Sequence, residues 1–308
     1  MRILLLGKNG QVGWELQRTL VSLGAVTALD YPEVNFVDPD GLRALVRDHD
    51  PQLIVNAAAY TAVDQAELEP ETAMAVNALA PGVLAQEAKR LGSGLVHYST
   101  DYVFDGTKRE PYTEEDVFHP INLYGESRLA GDRAVEATGG AYLILRTSWV
   151  YGGRGRNFFL TIRKLARERQ VLQVIDDQVG CPTWCQFLAE ATTKILATMV
   201  RGASDPIASA MNAQRGVYNL SAEGQISWCG FARAILETDP LRGEIIAKQV
   251  IPIPSEDHPS GAKRPPYPVL SKEKVRSGFG IEIHSWERQL ADCWRSLSET
   301  GRPESSQV

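Results

Sequence analysis

Short, unbroken apolar runs alternate along the first half of the chain with stretches whose apolar residues recur at helical spacing. Arg2-Ile-Leu-Leu-Leu6 is apolar on both sides of the pleat, the pattern of a strand covered on both faces of a parallel sheet. Gln11 to Leu23 then carries Val12, Leu16, Leu20 and Leu23 on one helical face, and Gly24 stops it. Ala25–Leu29 reads as a second strand ending at Asp30, 41–47 as a short helix, and Leu53–Val55 as a third strand leading into Asn56-Ala-Ala-Ala59. An Ala-rich helical pattern over 73–91 closes at Gly92; Leu95–Tyr98 is a strand, 122–139 a helix, and Tyr142–Leu145 another strand. Strands alternating with helices predict right-handed βαβ units: an α/β fold with a Rossmann-type doubly wound parallel sheet.

Beyond about residue 150 the periodicity becomes irregular. Helices are expected over 158–168, 187–199 and 231–237, and strands over 171–175 and 217–220. Six prolines between Pro252 and Pro268 demand an extended, irregular stretch. The organisation expected is a dinucleotide-binding domain over 1–150, a smaller mixed α/β substrate domain over 151–300 with segments returning to the first, and a polar tail over 301–308. No repeat is present. A second ligand would sit in the cleft between the two parts.

Composition narrows the class. Of 308 residues, 32 are Lys or Arg and 38 Asp or Glu, a net charge of −6 that argues against nucleic-acid binding. No apolar run approaches membrane-spanning length, and a glycine turn begins already at Gly7, so a soluble, cytoplasmic protein is expected. Cys181, Cys185, Cys229 and Cys293 lack metal-ligand spacing and read as reduced, buried thiols.

The candidate chemistry lies in two places. Gly7-Lys-Asn-Gly10-Gln-Val-Gly13 joins the first strand to the first helix, where glycines let the backbone approach a pyrophosphate and the helix end offers N–H groups. Asp30 suits the adenosine ribose hydroxyls and favours NADH, whereas Lys8 could neutralise a 2′-phosphate and favours NADPH; the spacing leaves both open. Tyr124-Gly-Glu-Ser-Arg128 places a phenol and a cation at i and i+4 on one helical face. A tyrosine doing acid–base work near neutrality needs such a charge beside its phenolate.

With Leu6–Leu16, Asn56–Asp64, Tyr98–Gly106, Asn122–Gly131, Arg146–Tyr151, Asp177–Thr183 and Lys263–Pro265 in order along nearly its whole length, the chain resembles the extended short-chain dehydrogenase/reductase family, and within it the reductases of nucleotide-linked sugars. The resemblance implies reduction by NADPH or NADH of the C4 keto group of a nucleotide-linked deoxysugar, in the synthesis of a rhamnose precursor for cell-surface polysaccharide. It assigns Tyr124 as general acid and Thr100 as the residue that hydrogen-bonds the carbonyl oxygen. Gly7, Gly10, Gln11, Val12, Gly13, Asp30, Asn35, Phe36, Ala57, Ala58, Ala59, Tyr60, Thr61, Tyr98, Tyr124 and Arg128 would hold the cofactor. Thr100, Asp101, Trp149, Asn157, Gln178, Thr183 and Arg264 would meet the sugar nucleotide.

Three departures matter. Arg128 stands where the family has Lys; it keeps the charge and the catalytic position but cannot release a proton. Cys181 replaces a small residue and is expected to be unreactive, and Pro268 replaces a Ser. Some family members hold a divalent cation with glutamates at a dimer contact; Glu15 and Glu190 match two, but the third position falls near Ser296, so no metal is expected. A monomer or homodimer fits the pattern equally. Two other readings stay open on the same scaffold: an epimerase or dehydratase that retains NAD, and a non-catalytic regulatory subunit.

Overall fold

The computed structural model describes residues 1–200, 207–258 and 260–299; the expected tail lies outside the described residues, as does Pro259. Five strands of the first half and one of the second form a single parallel sheet: β1 (Arg2–Leu6), β2 (Ala25–Leu29), β3 (Leu53–Asn56), β4 (Gly94–Thr100), β5 (Ala141–Thr147) and β6 (Gly216–Asn219). Their order is β6-β5-β4-β3-β1-β2. The chain therefore turns opposite ways from β1, to β2 on one side and β3 on the other, and the crevice above the carboxyl ends of β1 and β3 is where such sheets take ligands.

The unbroken apolar runs are explained by two cores, one on each face. Ile3, Leu5, Leu53, Val55, Val96, Leu143 and Leu145 pack with Leu16 and Leu20, on and just past α1 (Gln11–Thr19), and with Leu188 and Ile195 of the helix Cys185–Val200. The alternate residues Leu4, Leu6, Ile54, Leu95 and Ile144 pack on the opposite face with Leu42 and Val46 of α2 (Pro39–His49), with Leu84 of α3 (Ala80–Leu91) and with Val135 of α4 (Leu123–Ala137). Strand β6 brings part of the chain's second half back to the sheet, pairing Val217 with Ile144 and Tyr218 with Leu145.

Local chemistry sets the element ends. Asp38 caps α2 by accepting from the Gly41 amide at 3.0 Å, with Pro39 in the first turn, so this helix starts two residues earlier than its periodicity predicts. The single helix expected over 73–91 is instead Pro70–Met74, a π-helical turn Ala75–Leu79, and α3. The second half adds helices at Glu273–Phe279 and Trp286–Glu299 that the periodicity reading omitted, and Gln249–Ile253 forms a parallel ladder with Val171–Ile175 at the start of the proline-rich stretch.

An ion-pair cluster joins two neighbouring helices on this second face. Arg47 of α2 and Arg90 of α3 each reach the Glu87 carboxylate at 2.7 Å. The hydrogen bonds from Arg47, and then from Arg90, outweigh burial and hold Glu87 down at about 2. A depressed carboxylate stabilises the fold above its unfolded value near 4.5, and that contribution is lost as pH falls towards 2. Because both arginines are half exposed, we expect Glu87→Gln to cost about 1–2 kcal/mol at pH 7. Melting temperatures of the two proteins, a few degrees apart at pH 7, should converge on acidification; a gap that persists to pH 2 contradicts this origin.

Candidate active site

The turn after β1 is built for close approach. Gly7 has φ +87°, its amide donates to the Leu29 carbonyl at 2.9 Å, and a Cβ there would lie 2.5 Å from the Ala58 nitrogen. A Cβ on Gly13 would come within 1.9 Å of the Gly7 carbonyl oxygen, so only glycine lets α1 start this close to the turn. Gly10 is the N-cap of α1 and contributes no side-chain cap, leaving the first-turn amides near Gln11, Val12 and Gly13 to face the crevice end of the sheet. Gln11 reaches back to the second half: its amide donates to the Val150 carbonyl at 3.4 Å and accepts from Asn157 at 2.9 Å.

Asp30 accepts from the backbone amides of Asn9 at 3.0 Å and Tyr31 at 2.8 Å, coupling the end of β2 to the glycine turn. Lys8 is paired with Glu33. Asn35 is exposed, accepting from the Val37 amide at 3.2 Å, while Phe36 packs against the second core. On the other side of the turn, Ala57 donates to the Leu6 carbonyl and Ala58 to the buried Asn56 side chain; Ala59 and Tyr60 are half buried and Thr61 is exposed.

The phenol and the cation do share a face of α4, and the helix begins where the sequence pattern places it. Asn122 accepts from the Gly125 amide at 2.8 Å, and a Cβ on Gly125 would sit 2.2 Å from the Tyr102 carbonyl oxygen, so the helix presses directly onto the turn after β4. The Tyr124 phenol faces Thr100, at the end of β4, and its ring meets Tyr102 edge-on at 5.6 Å. Burial pushes the Tyr124 phenol upward and outweighs the lowering by Arg128 and Thr100, so at neutral pH the phenol is protonated. Arg128 is 2% exposed; its guanidinium donates to the Tyr98 carbonyl and, at 3.5 Å, to Asn77, while its Nε is buried without a partner.

Asn77 is the residue the sequence reading missed. It lies in the π-helical turn, where its side chain accepts from the Tyr60 amide at 2.8 Å and donates to the Tyr60 carbonyl and to Ser127, each at 3.0 Å. It thus clamps the segment after β3 to α4 and positions Arg128. A Cβ on Gly131 would meet the Asn77 carbonyl at 2.0 Å, so the close crossing requires that glycine. A weak helix former inside an Ala-rich helical pattern is the signal that points to Asn77. Behind α4, Asp132 accepts from Ser99 at 2.7 Å and from Arg146 at 3.2 Å, all fully buried, and burial keeps nearby His97 neutral.

The residues expected at the sugar nucleotide are placed as follows. Asp101 is buried beside Thr100 and accepts from Ser148. Trp149 is half buried, has φ +44°, and stacks on Trp228 at 3.3 Å; a Cβ on Gly180 would clash with its ring. Asn157 caps the helix Phe158–Glu168 and donates to the Gly152 and Arg154 carbonyls as well as to Gln11. Gln178 donates to Ser255, and Thr183, fully buried, donates to the Cys181 carbonyl and accepts from Ala222. Arg264 forms a two-pronged pair with Asp64, at 2.6 and 3.1 Å, and touches Tyr102, so its charge is already offset. Asn157, Thr183 and Arg264 thus have internal partners in the protein. The four cysteines are buried and unbridged, and Glu190 and Ser296 both bond Gln186. Among the described residues no cluster of His, Cys, Asp or Glu is arranged to hold a metal, and no helix is long and apolar enough to cross a membrane.

A doubly wound sheet, a glycine turn at its switch point, and a Tyr-x-x-x-Arg helix abutting a strand-end threonine define a nucleotide-dependent oxidoreductase of Rossmann type. More particularly, residues 1–299 match the model of the RmlD substrate binding domain family, and the chain belongs to that family. It is 45% identical over 300 residues to the dTDP-4-dehydrorhamnose reductase of Burkholderia thailandensis, covering 96% of this chain and 99% of that one. Among solved structures, a dTDP-4-dehydrorhamnose reductase from Clostridium acetobutylicum aligns with TM-score 0.87 and 33% identity, covering 97% of this chain and all of that one. The Bacillus anthracis reductase in complex with NADP aligns with TM-score 0.84 and 31% identity, covering 96% and 99%.

Proposed function

We propose that this protein reduces the C4 keto group of dTDP-4-dehydro-L-rhamnose with NADPH or NADH, giving dTDP-L-rhamnose. The observation that carries the reading is the placement of Tyr124, one helical turn from Arg128, against the turn after β4 at the carboxyl end of the sheet, on the same fold as a glycine turn shaped for a dinucleotide. The residues fit such a cofactor: Gly7 and Gly13 where any Cβ would clash, an uncapped helix start, and the unpartnered buried Nε of Arg128. When bound, the nicotinamide supplies the hydride. Gly7, Gly10, Gln11, Val12 and Gly13 cradle the pyrophosphate, while Ala57 to Thr61 and Tyr98 border the rest. Thr100 donates to the carbonyl oxygen, Tyr124 protonates it, and Arg128 supports the phenolate as it forms. Trp149 and Gln178 border the sugar nucleotide. We place the reaction in the cytoplasm, which keeps thiols such as these four cysteines reduced.

The test is oxidation of NADPH and of NADH with the authentic keto-sugar nucleotide. Loss of reduced cofactor with stoichiometric dTDP-L-rhamnose supports the reading. Retained NAD without net oxidation would mark an epimerase or dehydratase, and no hydride transfer together with a co-purifying enzyme would mark a regulatory subunit; either result overturns it.

Cofactor preference has its own handle. Lys8 is held by Glu33, which withholds its charge from a 2′-phosphate. Glu33→Gln is expected to lower the KM for NADPH severalfold while leaving that for NADH within about twofold, because only the former carries the extra anion. Equal shifts for both cofactors would place Lys8 away from the 2′ position.

A further inference from the structure

Of the two non-glycine residues with positive φ among the described residues, Asp50 closes α2, whereas Trp149, at +44°, stands at the carboxyl end of the sheet. Thr147 ends β5 level with Thr100 of β4, and Ser148, the residue before the tryptophan, donates to Asp101 at 2.7 Å. A bulky side chain keeps left-handed backbone only where its surroundings over-determine it, and such residues gather at functional sites. Three contacts determine this one. The Thr183 amide donates to the Trp149 carbonyl at 3.1 Å. A Cβ on Gly180 would come within 2.4 to 2.7 Å of Trp149 Cε2, Cζ2 and Nε1, so only glycine lets the indole lie there. Trp228 lies over the indole itself, with ring centroids 3.3 Å apart and planes within 2° of parallel.

Trp228 is itself fixed. Val179–Gly180 pairs antiparallel with Ile226–Ser227, with Gly180 opposite Ile226, so one short ribbon carries both the glycine and the approach to Trp228. Ser227 caps the helix Trp228–Thr238 by accepting from the Gly230 amide at 3.0 Å, and its hydroxyl donates to Asp176. Phe158, next to the helix cap Asn157, meets the Trp228 ring at 4.4 Å. We propose that Trp228 is a positioning residue for the substrate, holding the Trp149 indole as a fixed wall of the sugar-nucleotide pocket. This rests on the reductase reading above, in which Trp149 borders the sugar nucleotide.

A wall set before the ligand arrives spares the ordering cost that a mobile indole imposes on binding, so the advantage falls on affinity for the sugar nucleotide. The ring contacts of Trp228 are with Trp149 and Phe158, and neither belongs to the glycine turn. Loss of Trp228 therefore separates the two substrates: the keto-sugar nucleotide binds more weakly while the dinucleotide site keeps its shape.

The test measures KM for dTDP-4-dehydro-L-rhamnose and for NADPH in the unaltered protein, Trp228→Leu and Trp228→Phe. Trp228→Leu should raise the keto-sugar KM about tenfold, the order one aromatic pair supplies, with the NADPH KM within about twofold and kcat reduced far less. Trp228→Phe, which returns a ring to the stack, should recover most of that loss. Far-ultraviolet circular dichroism follows the stack itself: two overlaid indoles give an exciton couplet, present in the unaltered protein and lost in both variants. A keto-sugar KM unmoved in Trp228→Leu, equal rises for both substrates, or a spectrum without the couplet overturns the inference. If Trp228→Leu does not fold, Gly180→Ala displaces the same indole from its other neighbour, and an unmoved keto-sugar KM there overturns it as well. No cofactor oxidation by the unaltered protein overturns the reductase reading and this role with it, whereas an active protein with unmoved KM values overturns the role of Trp228 alone.

Discussion

Tyr124→Phe is expected to lower kcat by about 10³-fold, within the range a positioned general acid contributes, and to leave the melting temperature and NADPH affinity nearly unchanged. The ring is held edge-on against Tyr102, and the helix around it is fixed by the Asn122 cap and the Gly125 crossing. Those supports survive in phenylalanine. What is lost is the proton that burial keeps on the phenol at neutral pH, and with it the means of neutralising the oxygen as hydride arrives. Single-turnover measurements of NADPH oxidation, with binding followed separately by cofactor fluorescence, read the two effects apart. A variant that retains kcat within about tenfold of the unaltered protein would mean that another acid, or water, serves the carbonyl, since removing a true general acid costs at least about 10².

The parallel sheet is legible because both of its faces are covered. Leu4 and Leu6 point to one core and Ile3 and Leu5 to the other, so the strand has no polar side and reads as a solid apolar run. The glycine turn is legible for a similar reason: Gly7 and Gly13 stand where backbone atoms would collide with any Cβ, and no other residue satisfies the position. The kink of the 73–91 helix is not legible, since it depends on Asn77 finding the Tyr60 backbone and Ser127 across a fold that must already exist. The C-terminal helix stands differently. Trp286, Leu290, Cys293, Trp294 and Leu297 carry a helical period that suffices to find it. As for the site, the face shared by Tyr124 and Arg128 follows from spacing, but the balance between burial and charge at the phenol does not. Asn157 and Thr183 show the same limit: their residue types suit a sugar, yet the fold engages them as a helix cap and a loop clamp.

Arg128→Met is expected to cost about 10²–10³-fold in kcat, while Arg128→Lys stays within about tenfold of the unaltered protein, because the charge rather than the fork acts on the phenol. The guanidinium is the principal influence opposing burial at Tyr124, and it lies one helical turn away on the same face. Methionine fills much of its volume but leaves the Tyr98 carbonyl without this donor, a penalty of about 1–3 kcal/mol for a buried acceptor, so a lower melting temperature accompanies the loss. Lysine restores the charge and one donor to that carbonyl, though it cannot also span to Asn77. Melting temperature and kcat should therefore separate: lysine recovers most of the rate and only part of the stability. If lysine instead raises turnover several hundredfold, arginine impairs the natural enzyme, and the charge alone does not account for the role of residue 128.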